Sequence, residues 1–361
     1  MGKLRVGVIF GGRSSEHAIS LRSATSVVAN LDTSRFEVVP VAITPAGAWR
    51  AAARFEALVQ DFKLLPGGGD EVFCRPEPGA PALNRADGSP IPLDLFFPVL
   101  HGPFGEDGTL QGLLDMKGLP YVGCGVLASA AGMDKDVMKR LFAQAGLPLG
   151  RFMTVLRSRW EGQPDAVVAE AAAALGYPIF VKPANMGSSV GVSRATDEAQ
   201  LRAALTLAST YDRKLILEEA IPGREIELSV LGNDDPVVSQ PGEIFIGDTF
   251  YSYDDKYSAG SQARYQIPAE LDAATVAELQ RQARIAFMAI DGAGLARADF
   301  FIRARDGQVI INELNTLPGF TSISMYPKMW EASGLPYGDL LTRLVDLALE
   351  RHADKARNRT D

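Results

Sequence analysis

Cysteine and histidine are scarce in this chain of 361 residues, which contains only two cysteines and three histidines. The cysteines, Cys74 and Cys124, cannot form a disulfide framework, and neither has the sequence spacing of a metal-binding motif. With so few imidazole and thiol ligands, a zinc site built from histidine and cysteine is not expected either. The sequence therefore predicts a protein that depends on neither disulfides nor zinc.

Long apolar runs and an excess of positive charge are also missing. No segment approaches the roughly 18–20 apolar residues that span a bilayer. The basic start, followed by a short apolar run and Gly-Gly-Arg, favours a strand over a signal peptide. The formal net charge of −8 argues against nucleic acid as the main partner. We therefore expect a soluble, cytoplasmic protein, and the length predicts two or three domains.

The two best-known nucleotide-binding signatures are absent. The glycine-rich turn at residues 11–13 does not follow the G-x-G-x-x-G pattern, and no acidic residue ends the next predicted strand. A Walker A loop is excluded because Lys182 precedes the Gly/Ser loop at residues 184–192 instead of following it. Such a loop can still bind phosphates through backbone N–H groups and one ammonium. A flexible hairpin with a surface lysine is the alternative.

The N-terminal part predicts the start of a doubly wound α/β sheet. Buried strands are predicted at residues 4–10, 36–43 and 93–100, and a helix follows the first of them. Ligands of such sheets bind at the carboxyl ends of the strands, where Glu16 and His101 fall. Each has a simpler explanation, because helix dipoles favour acids in the first turn and a histidine can be the partner of a buried carboxylate.

The middle of the chain contains fewer clear signals. Residues 44–90 show weak periodicity, and we interpret them as a peripheral insertion without visible chemistry. A turn-rich linker at residues 118–125 indicates a first domain boundary. A helix is predicted from about residue 129 to 145, and it contains Lys139.

Two later segments have the composition of a nucleotide site. A predicted strand and turn contain Glu218 and Glu225, which suit an adenine amine and ribose hydroxyls. The loop at residues 250–258 combines tyrosines, acids and Lys256, which is unusual for a linker.

The most informative stretch is a predicted hairpin around an Asp-Gly turn at residues 306–307. Side chains alternate along a strand, so Arg297 shares a face with Asp299. Glu313 shares a face with Asn315 for the same reason. If the two faces coincide, the carboxylates and the amide oxygen suit Mg²⁺ together with substrate phosphates. A solvated hairpin with one Arg–Asp salt bridge is the alternative.

The lysines, the Gly/Ser loop and the acidic pair together predict an ATP·Mg²⁺ site without a P-loop. The motifs that contain them resemble the D-alanine–D-alanine ligase family of the ATP-grasp superfamily. They are, in family order, GVIFGGRSSEHAISLRSA, HGPFGEDGTLQG, VKPANMGSSVGVS, FYSYDDKYS, and RADFF with INELNTLPGFTSIS. The resemblance implies an ATP-dependent, ADP-forming ligase that joins two D-alanines through a D-alanyl phosphate for peptidoglycan synthesis. Residues 44–90 are the part that these motifs do not place in the family pattern.

The resemblance also implies a fold and domain boundaries. The fold would be α/β, with an N-terminal doubly wound parallel sheet followed by an ATP-grasp fold of two α+β subdomains that clasp ATP. The implied domains are residues 1–122 with the first D-alanine subsite, 123–218 with the Gly/Ser loop, and 219–361 with the metal and acceptor sites. A homodimer and a monovalent cation such as K⁺ are expected from the resemblance alone.

Individual roles follow from matching each motif to the family. The residues that match metal ligands, for two Mg²⁺ ions with Mn²⁺ as an alternative, are Asp299, Glu313 and Asn315. Those that match ATP contacts are Lys139, Lys182, Glu218, Ile221, Glu225 and Lys256. The first D-alanine subsite would contain Glu16, linked to Ser188 and Tyr257, with His101 beside it. The developing oxyanion would be bound by Arg297 and the Gly319 N–H, and the carboxylate of the second D-alanine by Ser324.

Several alternatives remain. The nearest is a ligase of the same family that joins D-alanine to D-lactate or D-serine, against which Tyr257 favours the D-alanine dipeptide. Another ATP-grasp ligase or carboxylase is more distant, because it would not need GGRSSEH or HGPFGEDG. A non-catalytic nucleotide-binding module is a different class of protein, and the complete set of charged site residues argues against it.

Overall fold

Three main β-sheets with flanking helices form the part of the chain described by this computed structural model, residues 2–245, 264–321 and 323–359. Two residues of the predicted site, Lys256 and Tyr257, lie outside this part. Within it, no helix has the length and apolar composition that crossing a membrane requires. The mixed α/β architecture is the one that the sequence predicted.

The N-terminal sheet has seven strands in the order β8-β7-β6-β3-β2-β1-β9. The strands of this part are β1 (Leu4–Gly11), β2 (Phe36–Ile43), β3 (Trp49–Ala51), β4 (Val59–Gln60), β5 (Lys63–Leu64), β6 (Asp70–Phe73), β7 (Leu83–Arg85), β8 (Pro90–Ile91) and β9 (Leu95–Val99). The helices are α1 (His17–Asn30) and α2 (Thr109–Lys117). β1 pairs in parallel with both β2 and β9, so the carboxyl ends of these strands lie at one edge. That edge holds the loops after β1 and β9.

Residues 44–90 extend this sheet instead of forming a separate insertion. β3, β6, β7 and β8 add to β2 in antiparallel order, and β4 and β5 form a small two-stranded ribbon. The added strands are short, so they show little of the alternation by which a strand is recognised in a sequence. The doubly wound parallel core is therefore confirmed for β2, β1 and β9, and the complete sheet is mixed.

The central part consists of a four-stranded antiparallel sheet in the order β10-β13-β11-β12. Its elements are α3 (Val126–Met133), α4 (Lys135–Gln144), β10 (Phe152–Leu156), α5 (Arg157–Gly162), α6 (Pro164–Leu175), β11 (Ile179–Pro183), β12 (Ser193–Ala195), α7 (Glu198–Tyr211) and β13 (Lys214–Glu219). The single helix predicted from about residue 129 to 145 is wrong. Asp134 divides it into α3 and α4, because its extended backbone ends α3 and its side chain caps α4 by accepting from the Val137 N–H.

The C-terminal part is built on a sheet in the order β17-β16-β14-β18-β19, with β15 paired to β14. Its elements are β14 (Gly223–Gly232), β15 (Val237–Val238), β16 (Gly242–Phe245), β17 (Arg264–Gln266), α8 (Ala273–Ala289), β18 (Gly294–Arg303), β19 (Val309–Asn315), α9 (Met325–Ala332) and α10 (Tyr337–Lys355). α10 returns to the N-terminal sheet, where Leu344 and Val345 share a core with Val8, Leu21 and Phe320. The loop between β19 and α9 is thereby held against the N-terminal part.

Candidate active site

The predicted hairpin is present and brings the candidate metal ligands onto one face. β18 pairs antiparallel with β19, and the register places Arg297 opposite Asn315 and Asp299 opposite Glu313. Directly opposite residues of paired strands project to the same side of a sheet. The two polar faces therefore coincide, and two carboxylates, an amide and a guanidinium share a small area.

Arg297 lies on this face as the partner of two carboxylates. Its Nε and Nη2 donate to Asp299 Oδ1 and Oδ2 at 2.7 and 2.6 Å, and its Nε lies 3.1 Å from Oε2 of Glu227 on β14. The Asn315 side-chain N–H donates to Asp299 Oδ2 at 3.0 Å. Burial lowers the pKa of Arg297, but the charges of Asp299 and Glu227 raise it by more, to well above its ordinary value. The guanidinium is therefore a permanent positive charge beside the candidate metal ligands.

The side chains of Asp299, Glu313 and Asn315 fit a divalent metal whose coordination is completed by phosphate. Within the described residues, no three histidine, cysteine, aspartate or glutamate side chains are grouped so as to hold a metal by themselves. Mg²⁺ does not need such a group, because one or two carboxylates together with substrate phosphates usually hold it. Two carboxylates and an amide oxygen on one face have this donor chemistry.

A β-bulge in the hairpin connects it to Lys139 on α4. The register shifts between Asp299 and Phe300, which leaves Asn312 without an opposite residue on β18. The Asn312 carbonyl instead accepts from Lys139 Nζ at 2.8 Å. The same ammonium lies 2.8 Å from Glu218 Oε1. Lys139 therefore joins the hairpin to the central sheet.

Glu218 binds both of the candidate phosphate lysines that lie in the described residues. Its Oε1 pairs with Lys139 and its Oε2 with Lys182. Burial raises the pKa of Glu218, but the two ammonium charges lower it by more and hold it well below its usual range. Burial lowers the pKa of Lys182, and the charges of Glu218 and Glu313 raise it by more. The two lysines thus converge beside the hairpin carboxylates. Their pairing with Glu218 was not predicted from the sequence.

The other two candidate adenine and ribose residues lie at the beginning of β14. Ile221 lies two residues before this strand and packs against Gly150, where an added Cβ would lie 2.8 Å from Ile221 Cδ1. Glu225 is on β14 itself, and its charge contributes to the raised pKa of Lys182. Glu225 is therefore close to Lys182, whereas Ile221 lies against Gly150 at the start of the same strand.

Glu16 and Ser188 meet although they are far apart in the sequence. Glu16 is 5% exposed, and its Oε1 accepts a hydrogen bond from the Ser188 hydroxyl. The loops on either side leave little space, because a Cβ on Gly102 or on Gly187 would lie 2.8 Å from Glu16 Oε2. Ser188 has a φ of 48°, in the left-handed region that non-glycine residues rarely adopt. The predicted link from Glu16 to Ser188 is therefore present, and its third member, Tyr257, lies outside the described residues.

Glu106 is a second carboxyl in this subsite, and no role was predicted for it from the sequence. Its Oε1 accepts from the Gly102 N–H at 2.7 Å. Burial and the charge of Glu16 raise the pKa of Glu106 to about 8. Lys135 counteracts this shift only in part, and its Nζ also donates to the Met186 carbonyl at 2.8 Å. Near neutral pH, Glu106 therefore holds a proton in the folded protein that it would lose in the unfolded chain.

This shifted pKa predicts a pH-dependent effect of Glu106→Gln. Between the ordinary glutamate value of 4.5 and about 8, the native state binds one more proton at this site than the unfolded state. The free energy of unfolding changes with pH in proportion to the protons bound by the unfolded state minus those bound by the native state. This difference is negative here, so stability falls as the pH rises. Glu106→Gln removes this cost and should raise the Tm by more at about pH 8 than at about pH 5. Calorimetry at both pH values tests this, with the exposed Glu56→Gln as control; an equal Tm difference at both pH values would contradict it.

The loop after β19 contains the candidate contacts of the second substrate. A Cβ on Gly319 would lie 3.0 Å from Ser324 Oγ, so the two residues are adjacent. Ser324 Oγ also accepts from the Thr321 N–H at 3.0 Å, directly before α9 begins. His101 contacts this same loop, with its Nδ1 3.2 Å from the Leu317 carbonyl. The candidate residues for the two substrates are therefore brought together by one loop.

Comparisons with known proteins find matches along nearly the whole chain. Family models described as D-ala D-ala ligase N-terminus and C-terminus match residues 5–124 and 141–346. The N-terminal match includes residues 44–90, which the sequence motifs alone did not place in the family pattern. The D-alanine–D-alanine ligases of Heliobacterium modesticaldum and Bacillus velezensis are 54% and 48% identical, over 100% and 96% of this chain and 99% and 98% of theirs.

Solved structures of two ligases are similar to this chain over nearly its whole length. The D-alanine–D-alanine ligase from Coxiella burnetii superimposes with a TM-score of 0.84 at 34% identity, covering 98% of both chains. The VanG D-Ala:D-Ser ligase from Enterococcus faecalis superimposes with a TM-score of 0.83 at 35% identity, covering 96% of this chain and 100% of the other.

Proposed function

This chain belongs to the D-alanine–D-alanine ligase family, and from this premise we propose how its residues divide the reaction among them. The chain is an ATP-dependent ligase with an ATP-grasp fold. It joins two D-alanines, with release of ADP and phosphate, to make D-alanyl-D-alanine for peptidoglycan. The carboxylate of the first D-alanine takes the γ-phosphoryl group of ATP, and the amine of the second then displaces phosphate from the resulting D-alanyl phosphate.

The convergence of two lysines with the hairpin carboxylates is the observation that supports this division most strongly. Lys139 and Lys182 already lie side by side on Glu218, so their charges are in place before a phosphate arrives. Preorganised positive charge is the main requirement for phosphoryl transfer. We assign Lys139, Lys182 and Lys256 to the phosphates. Adenine and ribose are assigned to Glu218, Ile221 and Glu225.

The hairpin face would hold the divalent metal. Asp299, Glu313 and Asn315 provide the oxygens, with Mg²⁺ or Mn²⁺ as the ion and two ions in total. When bound, the metal supplies positive charge that offsets the charge on the transferred phosphoryl group. Arg297 is held both by Asp299, which is one of these ligands, and by Glu227, which is not.

The substrate amino acids would lie on either side of the loop after β19. Glu16 binds the ammonium of the first D-alanine and is linked to Ser188 and Tyr257, with His101 beside it. The oxyanion that forms on the attacked carbonyl is bound by Arg297 and the Gly319 N–H. Ser324 binds the carboxylate of the second D-alanine. Exclusion of water is essential in this arrangement, because water would hydrolyse the D-alanyl phosphate.

The assembly and location of the protein remain proposals. We assign residues 1–122, 123–218 and 219–361 to three domains, and we expect a homodimer that uses a monovalent cation such as K⁺. ATP use in the synthesis of a peptidoglycan precursor is consistent with a cytoplasmic enzyme.

The direct test of the function is turnover with ATP, Mg²⁺ and D-alanine as the only amino acid, repeated with D-serine or D-lactate added. We expect one D-alanyl-D-alanine for each ADP, with D-serine and D-lactate poor as second substrates. Chromatography of the products together with a coupled ADP assay measures both quantities. ATP turnover that yields a mixed product with D-serine or D-lactate, and no dipeptide from D-alanine alone, would instead support the alternative ligase of the same family.

A further inference from the structure

We propose that Ser23, His101 and Tyr337 are positioning residues that fix the backbone of residues 317–320, which we call the oxyanion segment. This inference rests on the proposed function, because it takes the Gly319 N–H as a donor to the oxyanion. None of the three residues lies on the hairpin. They come from α1, from the loop after β9 and from α10.

A continuous chain of hydrogen bonds links Ser23 and His101 to both ends of the oxyanion segment. Ser23 Oγ lies 3.1 Å from His101 Nε2, and it accepts from the Phe320 N–H at 3.3 Å. His101 Nδ1 lies 3.2 Å from the Leu317 carbonyl. A carbonyl only accepts, so Nδ1 holds the ring proton and Nε2 accepts from the Ser23 hydroxyl. Burial lowers the pKa of His101, which agrees with this neutral form.

Tyr337 fixes the same peptide from the other side. Its hydroxyl donates to the Phe320 carbonyl at 2.8 Å, so both backbone groups of Phe320 are bound by side chains. The Phe320 ring is 1% exposed and packs against the rings of Phe97, Tyr326 and Tyr337. Gly319 has no side chain that could anchor it. Its position therefore depends on the fixed residues at either end of the segment.

The hydrogen bonds to the oxyanion segment are buried, which keeps the segment rigid. Ser23 is fully buried, and His101 and Leu317 are each 5% exposed. A buried polar group that loses its partner has no water to replace it, so the segment has no alternative position with equal hydrogen bonding. An oxyanion donor is effective only when it is already in place as charge develops. The segment is thus held in advance by α1, by the loop after β9 and by α10.

A purely structural role would lower stability alone, whereas a positioning role also changes the fate of the D-alanyl phosphate. If the second amine reacts more slowly, water can take its place and release D-alanine and phosphate. ATP is then consumed without formation of dipeptide. The number of ADP molecules released for each dipeptide therefore separates the two roles.

Tyr337→Phe and Ser23→Ala test the proposal, since each removes one hydroxyl and leaves the surrounding packing unchanged. We expect dipeptide kcat to fall roughly tenfold, the KM for ATP to stay within about twofold, and ADP per dipeptide to rise above one. Ser239→Ala is the matched control. Ser239 is 1% exposed and also forms two hydrogen bonds, to the Ser229 N–H and the Gln240 carbonyl. This variant should lose Tm while keeping one ADP per dipeptide.

One ADP per dipeptide in both Tyr337→Phe and Ser23→Ala would overturn the positioning role, whatever their Tm. Failure of the proposed function gives a different result, because the unmodified enzyme itself would then make no dipeptide. If Ser23→Ala does not fold, Tyr337→Phe decides alone, since it retains the ring that packs on Phe320.

Discussion

Glu313→Gln should nearly abolish dipeptide synthesis while the protein stays folded. Glu313 lies opposite Asp299 on the hairpin, and its charge acts on Lys182 and Arg297. The amide is nearly isosteric, but it removes the negative charge that a divalent metal requires. Metal charge contributes several kcal/mol to such transition states, so we expect kcat to fall roughly 10³-fold. Phosphate release in the presence of ATP, D-alanine and Mg²⁺ measures this directly.

The matched control for this change is Glu243→Gln in the same sheet. Glu243 is 5% exposed on β16 and binds Arg224 through both carboxylate oxygens, away from the hairpin face. Glu243→Gln also removes the charge of a buried carboxylate on a strand. We expect it to lower Tm and to leave kcat nearly unchanged. If the Glu313→Gln enzyme retained more than about a tenth of the kcat of the unmodified enzyme, the metal assignment would be contradicted.

Arg297→Lys should reduce kcat by roughly 10²–10³-fold, the usual effect of losing one oxyanion donor. Lysine keeps the charge but cannot bond both oxygens of Asp299 in a planar fork while also reaching Glu227. The remaining carboxylates are left buried with fewer donors, so Tm should fall as well. Steady-state kinetics with saturating ATP and calorimetry measure the two effects.

Arg303→Lys is a close control for this prediction, because Arg303 is on the same strand. It forms the same two-bonded contact with an aspartate, Asp306, at distances of 2.9 and 2.7 Å. That pair is near the protein surface, where ion pairs contribute little. Its replacement should leave kcat unchanged. Equal kcat values for Arg297→Lys and Arg303→Lys would contradict the assignment of Arg297 to the oxyanion.

The hairpin could be predicted from the sequence because its signals are local. An Asp-Gly turn and two apolar runs specify the strands, and alternation specifies which side chains share a face. The observed pairing of Asp299 with Glu313 also requires the β-bulge at Asn312, because the turn alone would place Asp299 opposite Asn312. No feature of the sequence predicted this bulge. Asp134 also had a local signal, since aspartate is a common helix cap. The prediction missed it because apolar residues continue at helical spacing on both sides.

The contacts that the prediction missed join residues that are remote in sequence. Ser23 and Phe320 are separated by 297 positions, and Glu227 reaches Arg297 only through the pairing of β14 with β18. Nothing in the sequence near Ser23 distinguishes it from the other small residues of α1. Glu106 had a weak signal, since it is an acidic residue in the same glycine-rich loop as His101. The raised pKa of Glu106 depends partly on the charge of Glu16, which lies close to it only in the folded chain.

The most direct test of the central claim is where the metal binds. We propose a crystal structure with ADP and Mn²⁺, with the ions located by their anomalous scattering. We expect peaks at direct coordination distance from oxygens of Asp299, Glu313 and Asn315, beside the phosphates bound by Lys139 and Lys182. Anomalous peaks on the phosphates alone, or at other carboxylates with none of these three residues in contact, would contradict it.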